Sequence, residues 1–273
     1  MRSLIQTGQP TTQFSEMFLK IGNGQITSDD NGYIDTTTIG HTISSPVDLC
    51  SAVYLNLTME YIKPGWLRDR AVLAPTNAAV NTLNYDLLSQ LPSQERCYRS
   101  VDTVNYLNQV THFPTGLPPH ELHLKVGCPV ILLRNLNAPT LCNGTRLVVK
   151  QMMDHVIEAQ IITGHDKNDT AFIQKIPLNP IDCSYPMQRL QFLLKLSFAM
   201  TINKAQGQSL KVVGLDLRTS CFSHGQFYVG CSRVNHPDNI SLLLKEKPKM
   251  STKQPYSIYS STAIFTSTLN CSR

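Results

Sequence analysis

The sequence is poor in charge. Asp, Glu, Lys and Arg supply 16% of its 273 residues, against 41% hydrophobic. That excludes a charge-driven disordered chain and leaves a surface built largely from Ser, Thr, Asn and Gln. No run of 18 apolar residues occurs, so no bilayer-spanning helix is expected. The start also lacks a basic segment followed by an apolar one, which argues against a secretory leader. Eight cysteines lie at 50, 97, 128, 142, 183, 221, 231 and 271, with no C-x-x-C pair. This argues against a zinc framework and predicts buried thiols in a soluble, intracellular protein. There is no internal repeat. Nor is there a G-x-x-x-x-G-K-[ST] loop: Gly22, Gly24, Gly32 and Gly40 lack the Lys-Ser/Thr that would follow. A self-contained phosphate loop is therefore excluded. The net charge of +5, from 24 Lys+Arg and 19 Asp+Glu, mildly favours a polyanionic partner.

What is present reads as an interrupted α/β pattern. Phe14, Met17, Phe18 and Ile21 lie on one face of a short helix that ends near Gly22. "QITSDDNGYIDTTTIG" reads as a loop or hairpin turning at Asn31-Gly32, and a short helix is expected over roughly 46–56. "RAVLAPTNAAVNTLNYDLLSQLP" gives strand, turn and helix: Ala71–Ala74, then Pro75-Thr76-Asn77, then Val80, Leu83, Leu87 and Leu91 on one face. "YRSVDTV" reads as a strand. After a Pro-rich loop come short β-like runs at 130–133, 145–150, 156–162 and 171–176, turned at Asn143-Gly144 and Gly164-His165-Asp166. They predict a small antiparallel barrel inserted into the host fold. The α/β pattern resumes with a strand over 192–200, a turn and short helix over 203–210, and a strand over 212–217. A helix in "SHGQFYVGCSRV" that Ser223 can cap and a strand over 240–244 complete it. Beyond Lys245 the polar composition predicts a disordered tail.

Four segments together resemble a known family. "LSFAMTINKAQGQSLKVVGLDL" with "FSHGQFYVGCSRV" is similar to the last motifs of PIF1-family DNA helicases, most nearly the cellular and Helitron-like branch. "DRAVLAPTNAAVNTLN" resembles the motif that opens that family's second RecA-like lobe. "LKVGCPVILLRNLNAPTLCNGTRLVV" resembles its inserted 2B domain, and "FSEMFLKIGNGQI" the segment just upstream. The resemblance covers about residues 14–245. It implies a RecA-like (P-loop NTPase-type) second lobe over 61–121 and 190–245. A β-barrel or SH3-like insert would occupy 122–189, residues 1–60 would connect and 246–273 would trail. It implies ATP and Mg2+ as cofactors of the complete enzyme, DNA unwinding with 5′ to 3′ translocation, and single-stranded DNA or a duplex junction as partner. A nuclear location follows, with the mitochondrion as alternative. The first lobe, with its phosphate loop and magnesium-binding acids, has no counterpart here. Asp29-Asp30 has no apolar strand before it and reads as a polar turn. The chain is therefore expected to be the C-terminal half of a helicase, as a fragment, a degenerate copy or an incomplete gene product. Alone it would be inactive, and a nucleic-acid-binding remnant needing a first lobe in trans is the rival reading.

The resemblance assigns roles residue by residue. Arg233 matches the arginine finger that offsets charge on a γ-phosphate; on chemistry alone it is an arginine answering a helix C-terminal dipole. Lys204, Gln206 and Gly207 match a loop that senses nucleotide and DNA; alone they read as a capped turn with a solvated lysine. Thr201 and His224 are polar candidates at the same edge. Thr76 and Asn77 match a DNA-backbone contact and also suit helix capping. Arg134 and Arg146 flank turns of the insert, where they would touch nucleic acid or simply water. Trp66, the sole tryptophan, would stack on a base or seat against the core.

Overall fold

The computed structural model describes residues 16–20, 23, 25, 39–104, 117–180, 187–221 and 225–245. In chain order the strands are β1 (His41–Ile43), β2 (Arg70–Ala74), β3 (Glu95–Arg99), β4 (Val101–Val104), β5 (Glu121–Lys125), β6 (Pro129–Leu132), β7 (Arg146–Met152), β8 (Val156–Ile161), β9 (Thr170–Leu178), β10 (Met187–Phe192), β11 (Leu194–Leu196), β12 (Ala199–Thr201), β13 (Val212–Leu217) and β14 (Ile240–Leu244). The helices labelled here are α1 (Pro46–Val53), α2 (Leu57–Glu60), α3 (Pro64–Arg68), α4 (Asn77–Ser89) and α5 (Gln226–Cys231). Residues 16–20 form a further helical turn.

Strands β1, β14, β13, β2 and β12 form, in that order, a wholly parallel sheet. Such a sheet needs cover on both faces, and β2 shows how one strand serves both. Val72 and Ala74 point into one apolar cluster with Leu49 and Val53 of α1 and Val80, Leu83 and Leu87 of α4. Ala71 and Leu73 point into the other, with Phe18, Ile202, Val213, Leu215 and Cys231. Thr76 caps α4 by accepting from Ala79 N at 3.5 Å. Asn84, buried in α4, accepts from Ala199 N at 2.8 Å and donates to Ala199 O at 2.9 Å, which pins the helix to the start of β12. Helix α1 lies close on β13 because residue 214 is glycine: a Cβ there would meet Val53 Cγ2 at 2.8 Å.

The second sheet is antiparallel, in the order β11-β6-β7-β8-β9-β10-β4. A separate ribbon pairs β3 with β5. The insert's apolar interior is not its own: Leu147, Val149, Ile157, Ile173 and Phe192 belong to the same cluster as α1 and α4. Arg146, wholly buried, crosses the junction. Its guanidinium donates to Arg68 O at 3.1 Å and to Leu67 O, Arg70 O and Ser197 O at 3.2 Å each. Tyr54 hydroxyl adds a 2.6 Å bond to Phe198 O, and Arg70 lies 3.8 Å over the Trp66 ring.

Three elements differ from the sequence expectation. The run over 192–200 is not one strand: β11 joins the antiparallel sheet through β6, and only β12 joins the parallel sheet through β2. Apart from Lys195 and Ser197 the run is apolar, because it is buried on both sheets in turn. "YRSVDTV" breaks at Ser100, whose hydroxyl bonds Asp102 at 2.8 Å and His120 Nδ1 at 2.7 Å. Its first part pairs with β5 and its second with β10. The second sheet thus gathers residues on both sides of 122–189. The last helix is shorter than expected, spanning Gln226–Cys231. Gly230 lets it pack closely on β13, since a Cβ there would meet Leu215 Cδ2 at 2.8 Å. The Asn31-Gly32 turn, Asp29-Asp30, Phe14, Ile21, Ser223 and the chain from 246 lie outside the described residues.

Two expectations follow. Arg146→Ala should lower the unfolding free energy by about 3 kcal/mol, since it strips buried carbonyls of a charged donor, and Arg146→Lys should restore only part. Urea denaturation measures both; a change below about 0.5 kcal/mol for the alanine variant would show that the guanidinium is not holding the junction. Second, Asp102 receives Arg189 Nε at 2.8 Å and Nη2 at 2.6 Å, and that paired contact, followed by Ser100, holds its carboxyl below the ordinary value despite burial. A carboxyl depressed in the folded chain stabilises above its unfolded value and loses that contribution as pH falls through the folded one. Acid unfolding below about pH 4 should be steeper for the wild type than for Asp102→Asn.

Candidate nucleic-acid and nucleotide edge

In a parallel sheet the carboxyl ends of all strands open on one edge, and ligands of α/β sheets bind there. β2 and β12 are neighbours in register, with Thr201 opposite Ala74. Their exits are therefore adjacent. From β2 the chain turns through Pro75 into Thr76, half-exposed, and Asn77, exposed. From β12 it enters a 3₁₀ turn, Ile202–Ala205, that buries Ile202 and Ala205 and leaves Asn203 and Lys204 in solvent. Gln206 and Gly207 follow, both exposed. Gly207 has φ +81°, the left-handed region, and nothing lies within 4 Å of where a Cβ would be. Glycine there both permits the turn and leaves bare backbone facing open space.

The polar side chains of this edge are cross-linked. Lys204 Nζ donates to Asn143 Oδ1 at 2.7 Å, which ties the lobe loop to the β6–β7 turn of the insert. Lys195 Nζ donates to Asn77 Oδ1 at 3.2 Å. Desolvation pushes the Lys195 ammonium below its ordinary value. Neither Lys195 nor Asn143 was marked as a site residue from sequence: each acquires its place through a partner more than 60 positions away, and no local pattern reports that. Thr201 is half-exposed and makes no capping bond.

Arg233 follows α5 and folds back onto the same loop. Nη1 donates to Ala205 O at 3.3 Å and Gln208 O at 3.1 Å, so its guanidinium grips the two residues that flank Gln206-Gly207. Nε donates to Val229 O at 2.8 Å and Nη2 to Ser232 Oγ at 2.8 Å. The bond to Val229 O is the helix-end contact expected on chemistry alone; the bonds to the loop are additional. Partial burial moves the guanidinium's value downward, with Tyr228 opposing; the group remains a cation at neutral pH.

The insert arginines separate. Arg134 stays half-exposed on the loop after β6. Arg146 is a correction: with 0% exposure and four carbonyl contacts it is a structural bolt, not a surface for nucleic acid. Trp66 is half-buried, tilted against Tyr54 at 5.9 Å and covered by Arg70, so it seats against the core. His224 lies outside the described residues. Among the described residues, no group of three or more His, Cys, Asp or Glu is placed to hold a metal ion.

Comparisons with known proteins agree with this architecture. Residues 105–152 match the family described as DNA helicase Pif1, 2B domain. The ATP-dependent DNA helicase Pif1 of Campylobacter jejuni is 25% identical over 195 residues, covering 66% of this chain and 43% of that protein. The PIF1 helicase of Danio rerio is 29% identical over 170 residues, covering 60% and 26%. Among solved structures, a Bacteroides Pif1 helicase in complex with ADP-AlF3 and ssDNA aligns with a TM-score of 0.58 at 22% identity, over 86% of this chain and 49% of that one. The Candida albicans Pif1 helicase aligns with a TM-score of 0.58 at 24% identity, over 85% and 53%. At these identities the structures establish the α/β, RecA-like fold. The chain spans less than half the length of the curated relatives it matches. By sequence and fold together, the chain is homologous to the C-terminal part of the Pif1-family DNA helicases, in the region of their second lobe and 2B insert.

Proposed function

We propose that this chain supplies the second RecA-like lobe and an SH3-like 2B insert of an ATP-dependent DNA helicase that unwinds duplex DNA while moving 5′ to 3′ on a single strand. The observation that carries this reading is the shared loop: Arg233, from the end of α5, bonds the carbonyls on either side of Gln206-Gly207, at the exit of β12 and beside the exit of β2. In this reading Thr76, Asn77 and Thr201 grip the DNA backbone through hydroxyl, amide and the N-terminal N–H groups of α4. Lys204 and Arg134 add positive charge where lobe and insert meet, and His224 is proposed as a further contact to DNA. Gln206 and Gly207 link the DNA side to the nucleotide side, and Arg233 is the finger aimed at a nucleotide held by a first lobe. The bound ATP and Mg2+ supply the phosphoryl-transfer chemistry; the residues of this chain supply a charged fork and a backbone approach. The domain division is the one drawn from sequence, enlarged so that β4 and β11 go with the insert. The proposed location is the nucleus, with the mitochondrion as alternative.

A second reading has its own observation. The sequence contains no G-x-x-x-x-G-K-[ST] loop, and a finger without phosphate loop or magnesium ligands stabilises no transition state. The chain by itself is then a nucleic-acid-binding module that gains activity only with a first lobe in trans.

One set of assays covers both readings. The purified chain should bind single-stranded DNA with an affinity that falls as salt rises, and Thr76→Ala with Lys204→Ala should weaken that binding at every salt concentration. It should show no DNA-stimulated ATP hydrolysis. With a first lobe added, hydrolysis should appear and fall by roughly 10³-fold in Arg233→Ala. DNA-stimulated hydrolysis by the chain alone, lost on Arg233→Ala, would overturn the need for a partner lobe. Absence of DNA binding at low salt would overturn the nucleic-acid reading itself.

A further inference from the structure

The β3–β5 ribbon carries a cluster that the helicase reading does not use. Cys97 on β3 and His123 on β5 are paired across the ribbon in register. Cys97 Sγ lies 3.7 Å from His123 Nε2, and His123 Nδ1 lies 2.7 Å from Glu95 Oε1. A carboxylate at Nδ1 selects the tautomer with its proton on Nδ1, which leaves Nε2 as the acceptor facing the thiol. Nucleophile, base and orienting acid thus stand in one line. The edge of the Tyr85 and His123 ring pair, with centroids 5.8 Å apart, walls the imidazole on the α4 side. Glu121 Oε2 lies 3.8 Å from Nε2 and is itself bonded to Arg99.

Access distinguishes this thiol among the cysteines of the described residues. Cys50, Cys128 and Cys231 are buried, and burial pushes the first two up to about 12. Cys142 and Cys221 are half-buried, whereas Cys97 is exposed. His123 also lines a groove with Tyr85, Asn81 and Lys195, which gives an approaching reagent room beside the imidazole. Desolvation first, then Glu121 and Glu95 against Arg99, push the Cys97 thiol above its ordinary value. The resting thiol therefore keeps its proton at neutral pH, and that proton must leave during attack.

We propose that Cys97, with His123 as its base, is a thiol-exchange site for small neutral or cationic disulfides. In the step, Cys97 sulfur bonds to one sulfur of the reagent and the reagent's S–S bond breaks. The Cys97 proton passes to His123 Nε2 and from there to the departing thiolate, giving one mixed disulfide and one free thiol. No outside oxidant is needed beyond the disulfide itself. Glu95 and Glu121 set the charge preference, since both carboxylates flank the His123 imidazole, their charge reaches the Cys97 sulfur, and they disfavour an anionic reagent.

The test uses the full chain, cystamine, and peptide mapping by mass spectrometry to follow each cysteine separately. At about pH 7, Cys97 in the folded chain should form its mixed disulfide about tenfold faster than in the urea-unfolded chain. The advantage should vanish as pH rises through the ordinary thiol value, where the unfolded thiol ionises unaided. His123→Gln should abolish both the advantage and its pH dependence, and Glu95→Gln should reduce it. Glutathione disulfide, an anion, should lag cystamine by a larger factor at folded Cys97 than at unfolded Cys97, with the gap narrowing as salt is added. Equal rates at folded and unfolded Cys97, or an unchanged pH profile in His123→Gln, would overturn the base assignment. Equal reagent preference in the two states would overturn the charge selectivity.

Discussion

A single buried cation holds the two sheets in one arrangement. Arg146 belongs to the first strand after the insert's turn, yet its guanidinium bonds carbonyls at Leu67, Arg68 and Arg70, where the parallel sheet begins, and at Ser197, where the chain re-enters it. Only a flat fork with five donors can bridge acceptors that come from two distant stretches of backbone. Burying it is costly unless its donors are met; Nη1 and Nη2 are met by the four carbonyls, while Nε is left without a partner. The carbonyls in turn gain partners that a strand end cannot supply. The insert is therefore tied to the lobe by polar geometry as well as by the shared apolar interior of Leu147, Val149 and Phe192.

That tie explains why the polar edge is ordered. Lys204 of the lobe can meet Asn143 of the insert only if both sheets keep a fixed relation. Arg233 is placed by a similar economy of contacts. It closes the end of α5 through Val229 O and reaches the loop on either side of Gln206-Gly207. A change in that loop, through ligand or partner, is felt by the arginine directly, with no intervening residue.

Much of this was legible in the chain. Strands β2, β13 and β14 announced themselves as short apolar runs, whereas the polar, exposed β1 gave no such signal; Thr76 read correctly as a cap because Ser and Thr satisfy free N–H groups before a helix. The failures share one cause. Residues 192–200 are apolar apart from Lys195 and Ser197, and that pattern gave no hint that they cross from one sheet to the other. Arg146 carries a charge, and charge ordinarily means surface; only the tertiary fold reveals four carbonyls converging on it. Cross-ribbon pairs such as Cys97 and His123 are 26 positions apart and leave no local signature.

The central claim is that one edge of the parallel sheet, braced by the insert, receives single-stranded DNA. Amide hydrogen exchange on the intact chain, with and without a short oligonucleotide at low salt, tests it most directly. The account predicts new protection confined to 76–80 and 201–208 and to the turn around Asn143, with the β8–β9 face unchanged. Protection limited to the β8–β9 face, with the 76–80 and 201–208 amides exchanging as before, would contradict it.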